Sequence, residues 1–485
     1  MSKKPFYITT TLPYVNADAH VGHALEQIRA DIVARWKRLT GHEVFFNTGT
    51  DEHGNKIYQK AIETGQDVQA YVDYYAERFK KLKKVLNLSY DNFIRTTDLH
   101  HIAAAQAFWK ICLDKGDIYK KNYKTKYCTG CEMEKTDSEL DEKGRCLIHP
   151  QLEIEIIEEE NYFFRYSKYQ QSLLDLYQAH PDLVIPHTRL NEIKSFVSNG
   201  LQDFSISRLK SKMPWGIPVP GDDEQVMYVW FDALVNYIAA IGWPENMDKF
   251  KKWAIESGGM VQYCGKDNLR PQAAMWQAML LSASLPASKN IIIDGFVTGE
   301  GGIKMSKSMG NIVDPIDVVN EYGTDALRYM VARELHCFED SPFSLERVKE
   351  AYNSGLANGL GNLVSRVMKM ATTHLEGSVE ILDEVGGKNI PEDFINFLEG
   401  FEIQQASHVV WKHIAECDAY IQETQPFKLV KVDKEKALVI IRELVQRVYA
   451  IACMLESILP ETSEKIKTII REHRMPEIPL FVRKD

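Results

Sequence analysis

Two short segments, far apart in the chain, carry side chains suited to phosphate chemistry. Lys304-Met305-Ser306-Lys307-Ser308 sets two lysines on a loop entered through Glu300-Gly301-Gly302-Ile303. His20-Val21-Gly22-His23 sets two histidines around a glycine. Cationic side chains at two distant points are what a protein needs to grip a triphosphate whose phosphorus is attacked. Alone, each segment says little: a lysine pair is usually a solvated loop, and three specified positions recur by chance. The sequence holds no Gly-x-x-x-x-Gly-Lys-Ser/Thr loop, so phosphate binding falls to these two motifs together.

A third constellation is Cys128-Thr129-Gly130-Cys131 with Cys146-Leu147-Ile148-His149, separated by residues 132–145. Three thiolates and one imidazole suit a tetrahedral zinc ion. Such a site leaves no open position, so its expected role is structural, lending folding energy to a small polar module. Asp51, His53 and Asp267 stand at the ends of predicted strands. Carboxylates there can meet an ammonium group or ribose hydroxyls, although loop-capping acids look the same. Leu12, Tyr14, Trp230 and Tyr237 lie beside those loops and by type suit a core as well as a pocket. Lys80-Lys81-Leu82-Lys83-Lys84 reads as the solvated face of a helix.

The elements that position these residues follow from hydrophobic periodicity. Phe6 to Thr11 is a buried strand, and Pro13 stops it because proline lacks a ladder donor. A helix opens near His20, with Val21, Leu25, Ile28, Ile32 and Trp36 at helical spacing and Gly41 as its stop. Glu43 to Phe46 is a second strand, followed by a loop from Gly49 to Gly54. Strand, helix, strand with short connections is a βαβ unit and implies a parallel sheet. Placing the histidines where a strand passes into a helix favours the phosphate reading, since helix-start N–H groups attract anions. Helices are predicted around 68–86 and 100–115. From about residue 120 to 225 the chain turns polar and Cys-containing, with apolar-acidic alternation at Leu152–Ile156, as an inserted module would. The α/β pattern resumes with strands at Val226–Phe231, Val261–Cys264 and Ile291–Ile293. From about Ser344 onward only helical periodicity remains, as in Leu356, Leu360, Leu363, Val364 and Val367, which predicts a bundle.

The predicted class is therefore α/β: a Rossmann-type parallel sheet with a zinc-binding insertion, then an all-α bundle. The expected divisions are 1–119 and 226–343 for the sheet domain, 120–225 for the insertion and 344–485 for the bundle. At 485 residues the chain is too long for one core, which agrees with several domains. Its net charge of -10 argues against nucleic-acid binding by overall basicity. No signal pattern opens the chain and no apolar run reaches the length of a membrane span, roughly 18 residues or more. The 8 cysteines read as reduced thiols plus the metal cluster. A cytoplasmic protein is expected.

Together these residues resemble the class I aminoacyl-tRNA synthetases, and within them the methionyl-tRNA synthetase family. The His20–His23 segment matches the family's first signature, with Val21 where Ile or Leu is usual. Lys304 to Ser308 matches its second without change. Thr9 to Asn16, Val229-Trp230-Phe231-Asp232-Ala233, Gly265-Lys266-Asp267 and Ala357 to Leu363 match further family segments, so the similarity spans essentially the whole chain. The resemblance implies ATP-dependent attachment of methionine to tRNA through methionyl-adenylate, with magnesium accompanying ATP. It implies that His20 and His23 hold phosphate oxygens and that Lys304 and Lys307 close over pyrophosphate. Gly22, Glu26, Gly265 and Asp267 match nucleotide positions, and Asp51 matches the acid that meets the methionine ammonium. Leu12, Tyr14, Trp230, Ala233 and Tyr237 match the methionine pocket. Arg208, with Asp267, matches positions linked to homocysteine editing. Asn362 and Arg366 match anticodon-reading positions, and Phe427 stands where some members stack a Trp.

The chain departs from the family at Asn268 and Gln272, where Ile and His are common, and at Leu234, where some members have Pro. Asn268 is expected to set a polar amide into a usually apolar wall. Gln272 is expected to donate a hydrogen bond toward sulfur or Tyr237. Some relatives carry an appended tRNA-binding dimerisation domain, and the match here stops short of one, so a monomer is expected. Its partners would be methionine, ATP and the elongator and initiator methionine tRNAs, with no membrane. Two alternatives compete. One is a synthetase for leucine, valine, isoleucine or cysteine, against which the short insertion and fully ligated cluster argue. The other is a non-catalytic tRNA-binding protein on the same scaffold, against which the intact histidines and lysines argue.

Overall fold

The computed structural model describes residues 3–131, 133–302, 313–380 and 390–485. Lys304 and Lys307 lie outside the described residues. The chain opens with β1 (Pro5–Thr10), helix α1 (Val21–Leu39) and β2 (Glu43–Thr50), then reaches β3 (Asn92–Arg95) through two helices. This is the βαβ unit that the periodicity predicts. The second strand is longer than expected, because Gly49 lies inside it. A Cβ there would fall 1.8 Å from the Ile94 carbonyl oxygen of β3, so the glycine serves close strand approach and not a loop.

The insertion begins with β4 (Ile118–Cys128), β5 (Met133–Lys135) and β6 (Glu155–Phe164). Next come β7 (Val184–Ile185), β8 (Phe204–Ser205), β9 (Ser207–Leu209), β10 (Pro218–Val219) and β11 (Asp222–Met227). The sheet domain resumes with β12 (Met260–Gly265) and β13 (Asn290–Asp294). The main sheet is wholly parallel, in the order β3-β2-β1-β12-β13-β7. Strand order reverses between β1 and β12, and in such doubly wound sheets ligands bind at the carboxyl ends flanking that point.

Two expectations are corrected. Residues 120–225 are not one module, because Val184 and Ile185 pair with Ile291 and Ile292 as the outer strand of the main sheet. The flanking helices Gln170–Ala179 and His187–Ser198 bury Leu173, Tyr177, Leu190 and Ile193 in the same core as Trp276 and Ile291. A strand of two residues is too short for periodicity to reveal. The rest of the insertion carries two small antiparallel sheets, β5-β4-β6-β8 and β10-β11-β9, whose Phe164, Val219 and Met227 join that same core. Val226–Phe231 is likewise not one strand: β11 ends at Met227 and a short helix spans Val229–Ala233. An unbroken apolar run fits either state, and here buried polar contacts of Asp232, described below, select the helix.

From Leu345 onward the described residues form helices only. Leu356, Leu360, Leu363, Val364 and Val367 are fully buried, as their spacing implies. Their core is continuous with that of α1 and β1, so the bundle is packed onto the sheet domain. Among the described residues no helix is long and apolar enough to cross a membrane.

Candidate active site

A cleft of about 610 Å³ opens at the switch point of the sheet. His20, Gly22, His23, Glu26, Gly265 and Asp267 line it toward α1, and Leu12, Tyr14, Asp51, Trp230, Ala233, Tyr237, Asn268 and Gln272 line it toward the helix Val229–Ala233. Every cleft residue named from the resemblance is thus brought together, apart from the two lysines outside the described residues and Arg208.

The histidine end is built by α1 itself. His20 is its N-cap, and the His20 Nδ1 accepts from the Gly22 N–H at 3.1 Å. The His23 Nδ1 accepts from the His20 backbone N–H at 3.2 Å, so the two rings cap the helix reciprocally. They stack with centroids 3.9 Å apart. A Cβ on Gly22 would lie 2.8 Å from the His20 ring, so any larger residue would have to displace that ring from its capping position. An imidazole whose Nδ1 accepts carries its proton on Nε2. Burial, with the neighbouring His20, holds the His23 pKa well below the usual histidine value. Against the expectation of two cationic rings, burial favours the neutral form of His23, which stands as an Nε2–H donor at the helix N-terminus.

Beside them, the Glu26 Oε1 accepts from the Thr11 N–H at 2.7 Å and the Thr11 hydroxyl at 2.5 Å. Burial raises the Glu26 carboxyl to about 8, and Asp294 and Asp267 add to the rise while the Thr11 bonds oppose it. Asp294, at the end of β13, is itself raised to about 6 by burial, although the Arg29 guanidinium 3.0 Å away pulls it down. Asp294 lines the cleft too, a residue that the sequence motifs do not mark. Asn268 turns its amide nitrogen to the Asp267 Oδ1 at 3.1 Å, so its polarity is engaged with the neighbouring acid.

At the other end, Asp51 is fixed by the backbone. Its N–H donates to the Pro13 carbonyl at 3.0 Å and its carbonyl accepts from Val15 at 3.2 Å. This locks the Leu12–Tyr14 segment and Asp51 side by side, with Tyr14 edge-on to Trp230 at 6.4 Å. Behind them, the buried Asp232 accepts from the His53 Nδ1 at 2.6 Å and the His101 Nε2 at 2.7 Å. Burial alone would raise the Asp232 carboxyl, but His53 and His101 hold it below the usual carboxylate range. Asp232 thus ties the helix bearing Trp230 and Ala233 to the loop bearing Asp51. A buried acid between two histidines distant in sequence leaves no local signature, so neither its role nor that of His101 was foreseeable. Gln272 donates to the Tyr237 hydroxyl at 2.5 Å, one of the two contacts expected of it.

Arg208 is not a cleft residue. It is buried on β9, where it donates to the Ser205 hydroxyl and the Ser207 carbonyl and stacks on the rings of Tyr127 and Tyr228. Those rings pack in turn against Tyr14 and Trp230, so Arg208 stands one layer behind the pocket.

The Cys128, Cys131, Cys146 and His149 ligand atoms all lie within 4.8 Å of one another. The His149 Nδ1 is 3.2 Å from Cys131 Sγ and 3.8 Å from Cys128 Sγ, and the Cys131 and Cys146 sulfurs are 3.5 Å apart. Tetrahedral zinc with three sulfurs and one nitrogen has edges of about 3.5–3.8 Å, so the cluster can hold a metal ion. Its position differs from a remote insertion: Gly130, Cys131, Ile148 and His149 form one wall of the cleft. The Arg270 guanidinium reaches Glu139 at 3.3 Å, linking that wall to the segment after Asp267. Spacing reveals a metal site, but not what it packs against.

In the bundle, Asn362 and Arg366 lie one turn apart on the helix Asn362–His374, and Asn362 is exposed. Arg366 pairs with Asp418 at 2.7 Å. Phe427 is 44% exposed on the short helix Pro426–Leu429.

A doubly wound sheet with histidine donors at its switch point, joined by one cleft to an acid-bearing aromatic pocket, defines a nucleotide-dependent α/β enzyme. The comparisons make this particular. The family model described as tRNA synthetases class I (M) matches residues 6–368, and the chain belongs to that family. It is 40% identical to the methionine–tRNA ligase of Caldanaerobacter subterraneus subsp. tengcongensis over 96% of this chain and 73% of that protein. It is 41% identical to the methionine–tRNA ligase of Thermosynechococcus vestitus, over 95% and 89%. The solved structure of Mycobacterium tuberculosis methionyl-tRNA synthetase in complex with methionyl-adenylate superposes with a TM-score of 0.88 at 35% identity, covering 96% of this chain and 94% of that one.

Proposed function

We propose that this chain attaches methionine to tRNA in two steps, through methionyl-adenylate. The observation that carries this is the single cleft holding a phosphate-binding helix start at one end and an acidic, aromatic pocket at the other. A methionine carboxylate oxygen attacks the α-phosphorus of ATP, the bond to the β,γ unit breaks, and pyrophosphate leaves. The carboxylate is already ionised near neutrality, so no general base is required. The chain's contribution is positioning and charge stabilisation. His20 and His23 donate through Nε2–H to phosphate oxygens, and Lys304 and Lys307 balance the charge of the departing pyrophosphate. Magnesium enters bound to ATP. Gly22, Glu26, Gly265 and Asp267 hold the nucleoside, with Glu26 in its protonated form. Asp51 receives the methionine ammonium, while Leu12, Tyr14, Trp230, Ala233, Tyr237, Asn268 and Gln272 surround the side chain. An aromatic, apolar pocket suits a flexible, polarizable thioether. The terminal adenosine hydroxyl of tRNA then attacks the adenylate carbonyl, and AMP leaves.

Asp267 and Arg208 are assigned to homocysteine editing, Asp267 from the cleft lining and Arg208 through the pocket rings on which it stacks. We assign zinc to the Cys128, Cys131, Cys146 and His149 cluster, where it would anchor one wall of the cleft. The sheet domain is taken as 1–119 and 226–343 with the β7 region added to it, the insertion as the rest of 120–225, and the bundle as 344–485. In the bundle, Asn362, Arg366 and Phe427 are assigned to the anticodon, which requires Arg366 to exchange Asp418 for a base. The working form is a cytoplasmic monomer serving elongator and initiator tRNAs, and a stable dimer in sedimentation at low micromolar concentration would overturn the monomer. The decisive experiment is methionine-dependent exchange of pyrophosphate into ATP, with homocysteine and norleucine as comparators. Exchange stimulated by methionine is expected, and no stimulation would overturn the reading.

A further inference from the structure

Behind the amino-acid end of the cleft runs a chain of neutral polar groups: Gln277, Ser288, Gln262, Gln272 and the Tyr237 hydroxyl. All five residues are buried. Two backbone groups fix the first amide of the chain. The Ser288 backbone N–H can only donate, and it reaches the Gln277 Oε1 at 3.0 Å. The Gln272 backbone carbonyl can only accept, and it receives the Gln277 Nε2 at 3.0 Å. These contacts settle which end of the Gln277 amide is which. Its second N–H therefore donates to the Ser288 Oγ at 3.0 Å. The Gln262 Oε1 faces the same hydroxyl and can only accept, so Ser288 gives its proton to it. The Gln262 Nε2 in turn donates to the Gln272 Oε1 at 3.1 Å. Gln272 is left presenting its Nε2 to Tyr237, at 2.5 Å. The Tyr237 hydroxyl is thus an acceptor toward Gln272, and its proton is left for the cleft that Tyr237 lines.

The donors and acceptors run in one sense from Gln277 to Tyr237, so the polarity seen at the cleft is matched by residues that do not touch it. A hydroxyl fixed as a donor distinguishes a side chain with a lone pair from one of the same shape without it. A thioether sulfur accepts weakly, whereas the methylene of norleucine cannot accept. Such a site also loses more when its buried donor is left unmatched than it gains from shape alone. We propose that Gln262 and Ser288 are positioning residues for side-chain selectivity, holding Tyr237 as a hydrogen-bond donor toward the methionine sulfur. The inference rests on the assignment of this cleft end to the methionine side chain. It concerns residues of this chain that lie beyond the pocket wall, anchored through a glutamine where relatives of the family commonly have histidine.

The test is pyrophosphate exchange with methionine and with norleucine. The proteins are the unmodified chain, Ser288→Ala and Gln262→Met, each also combined with Tyr237→Phe. Each relay substitution is expected to lower the methionine-to-norleucine ratio of kcat/KM by about three- to tenfold, the worth of one neutral hydrogen bond. The loss should fall on the methionine KM and leave the ATP KM unchanged. In the Tyr237→Phe background the same substitutions should lower the ratio no further, because the group they orient is gone. A general packing defect would instead act in both backgrounds. An unchanged ratio in the relay variants, or a further loss on top of Tyr237→Phe, would overturn the proposal. If Gln262→Met does not fold, Ser288→Ala, which removes one oxygen, decides the matter. Absence of methionine-stimulated exchange in the unmodified chain is a separate outcome, which overturns the functional assignment and this inference with it.

Discussion

The two ends of the cleft are built from different materials. The nucleotide end consists of titratable groups: stacked histidines, a carboxyl raised to about 8 at Glu26 and another raised to about 6 at Asp294. The amino-acid end presents neutral amides, hydroxyls and rings with one acid, Asp51, held rigidly by backbone bonds, and keeps its second acid, Asp232, buried behind them between two histidines. The contrast matches the ligands. A polyphosphate must be bound and then released as pyrophosphate, which calls for charge that can be shared and withdrawn. A thioether offers one weak acceptor and little else, so it is recognised by shape and by the orientation of a fixed donor.

Several substitutions would break or sharpen this contrast. The largest effect belongs to the phosphate end: Lys304→Ala or His23→Ala should slow adenylate formation in single-turnover assays by about 10²–10³. A rate near that of the unmodified chain would place phosphate binding elsewhere. Next, Asp51→Asn should lower kcat/KM for methionine by about 10- to 100-fold through loss of a charged hydrogen bond. ATP binding should hardly change, and equal damage to both substrates would mean that the two ends are not separate. Asp232→Asn should weaken methionine use by about tenfold, because it disturbs the tie between the Trp230 helix and the Asp51 loop. A melting curve checks that this loss is not simply unfolding.

The smallest effect is one of pH. Glu26 is neutral below about 8 and ionises as pH rises through that value, placing a negative charge beside the phosphates. The ATP KM should therefore rise by a few-fold between about pH 7 and 9, while the methionine KM stays level. Glu26→Gln, which mimics the protonated acid, should flatten the ATP profile. A flat profile in the unmodified chain would remove the claim that this end works through titratable groups.

Legibility followed the same divide. The histidine pair, the glycine between them and the metal cluster are contiguous motifs, and local spacing sufficed to find them. The helical core from Leu356 to Val367 was equally visible, since burial repeats with the helix. What sequence could not reveal was contact between distant segments. Strand β7 is two residues long and gains its identity only by pairing with β13. Asp232 looked like one more position in an apolar run, and its two histidines come from other parts of the fold. Residue type does not show that His23 is buried and caps its own helix, which is what favours its neutral form. The resemblance links Arg208 and Asp267 by role, but only the fold shows that Arg208 stacks on Tyr127 and Tyr228, one layer behind the pocket.

Helix α1 carries a further consequence. Its first residues hold the phosphate-binding rings, and its last turns are clamped to the bundle: Trp36 and Lys37 bind Glu399, and Asp31 pairs with the buried Arg328, which also binds the carbonyls of Ser457 and Ile458. Between them, Arg29 grips Asp294 and the carbonyls of Leu335, His336 and Cys337. A helix of 19 residues is about 28 Å long. It is a lever with its fulcrum in the bundle, so one degree of slack at Trp36 becomes about 0.4 Å at the histidines. Since catalysis by positioning tolerates errors of only that order, the aim of the phosphate donors is set at the opposite end of the rod.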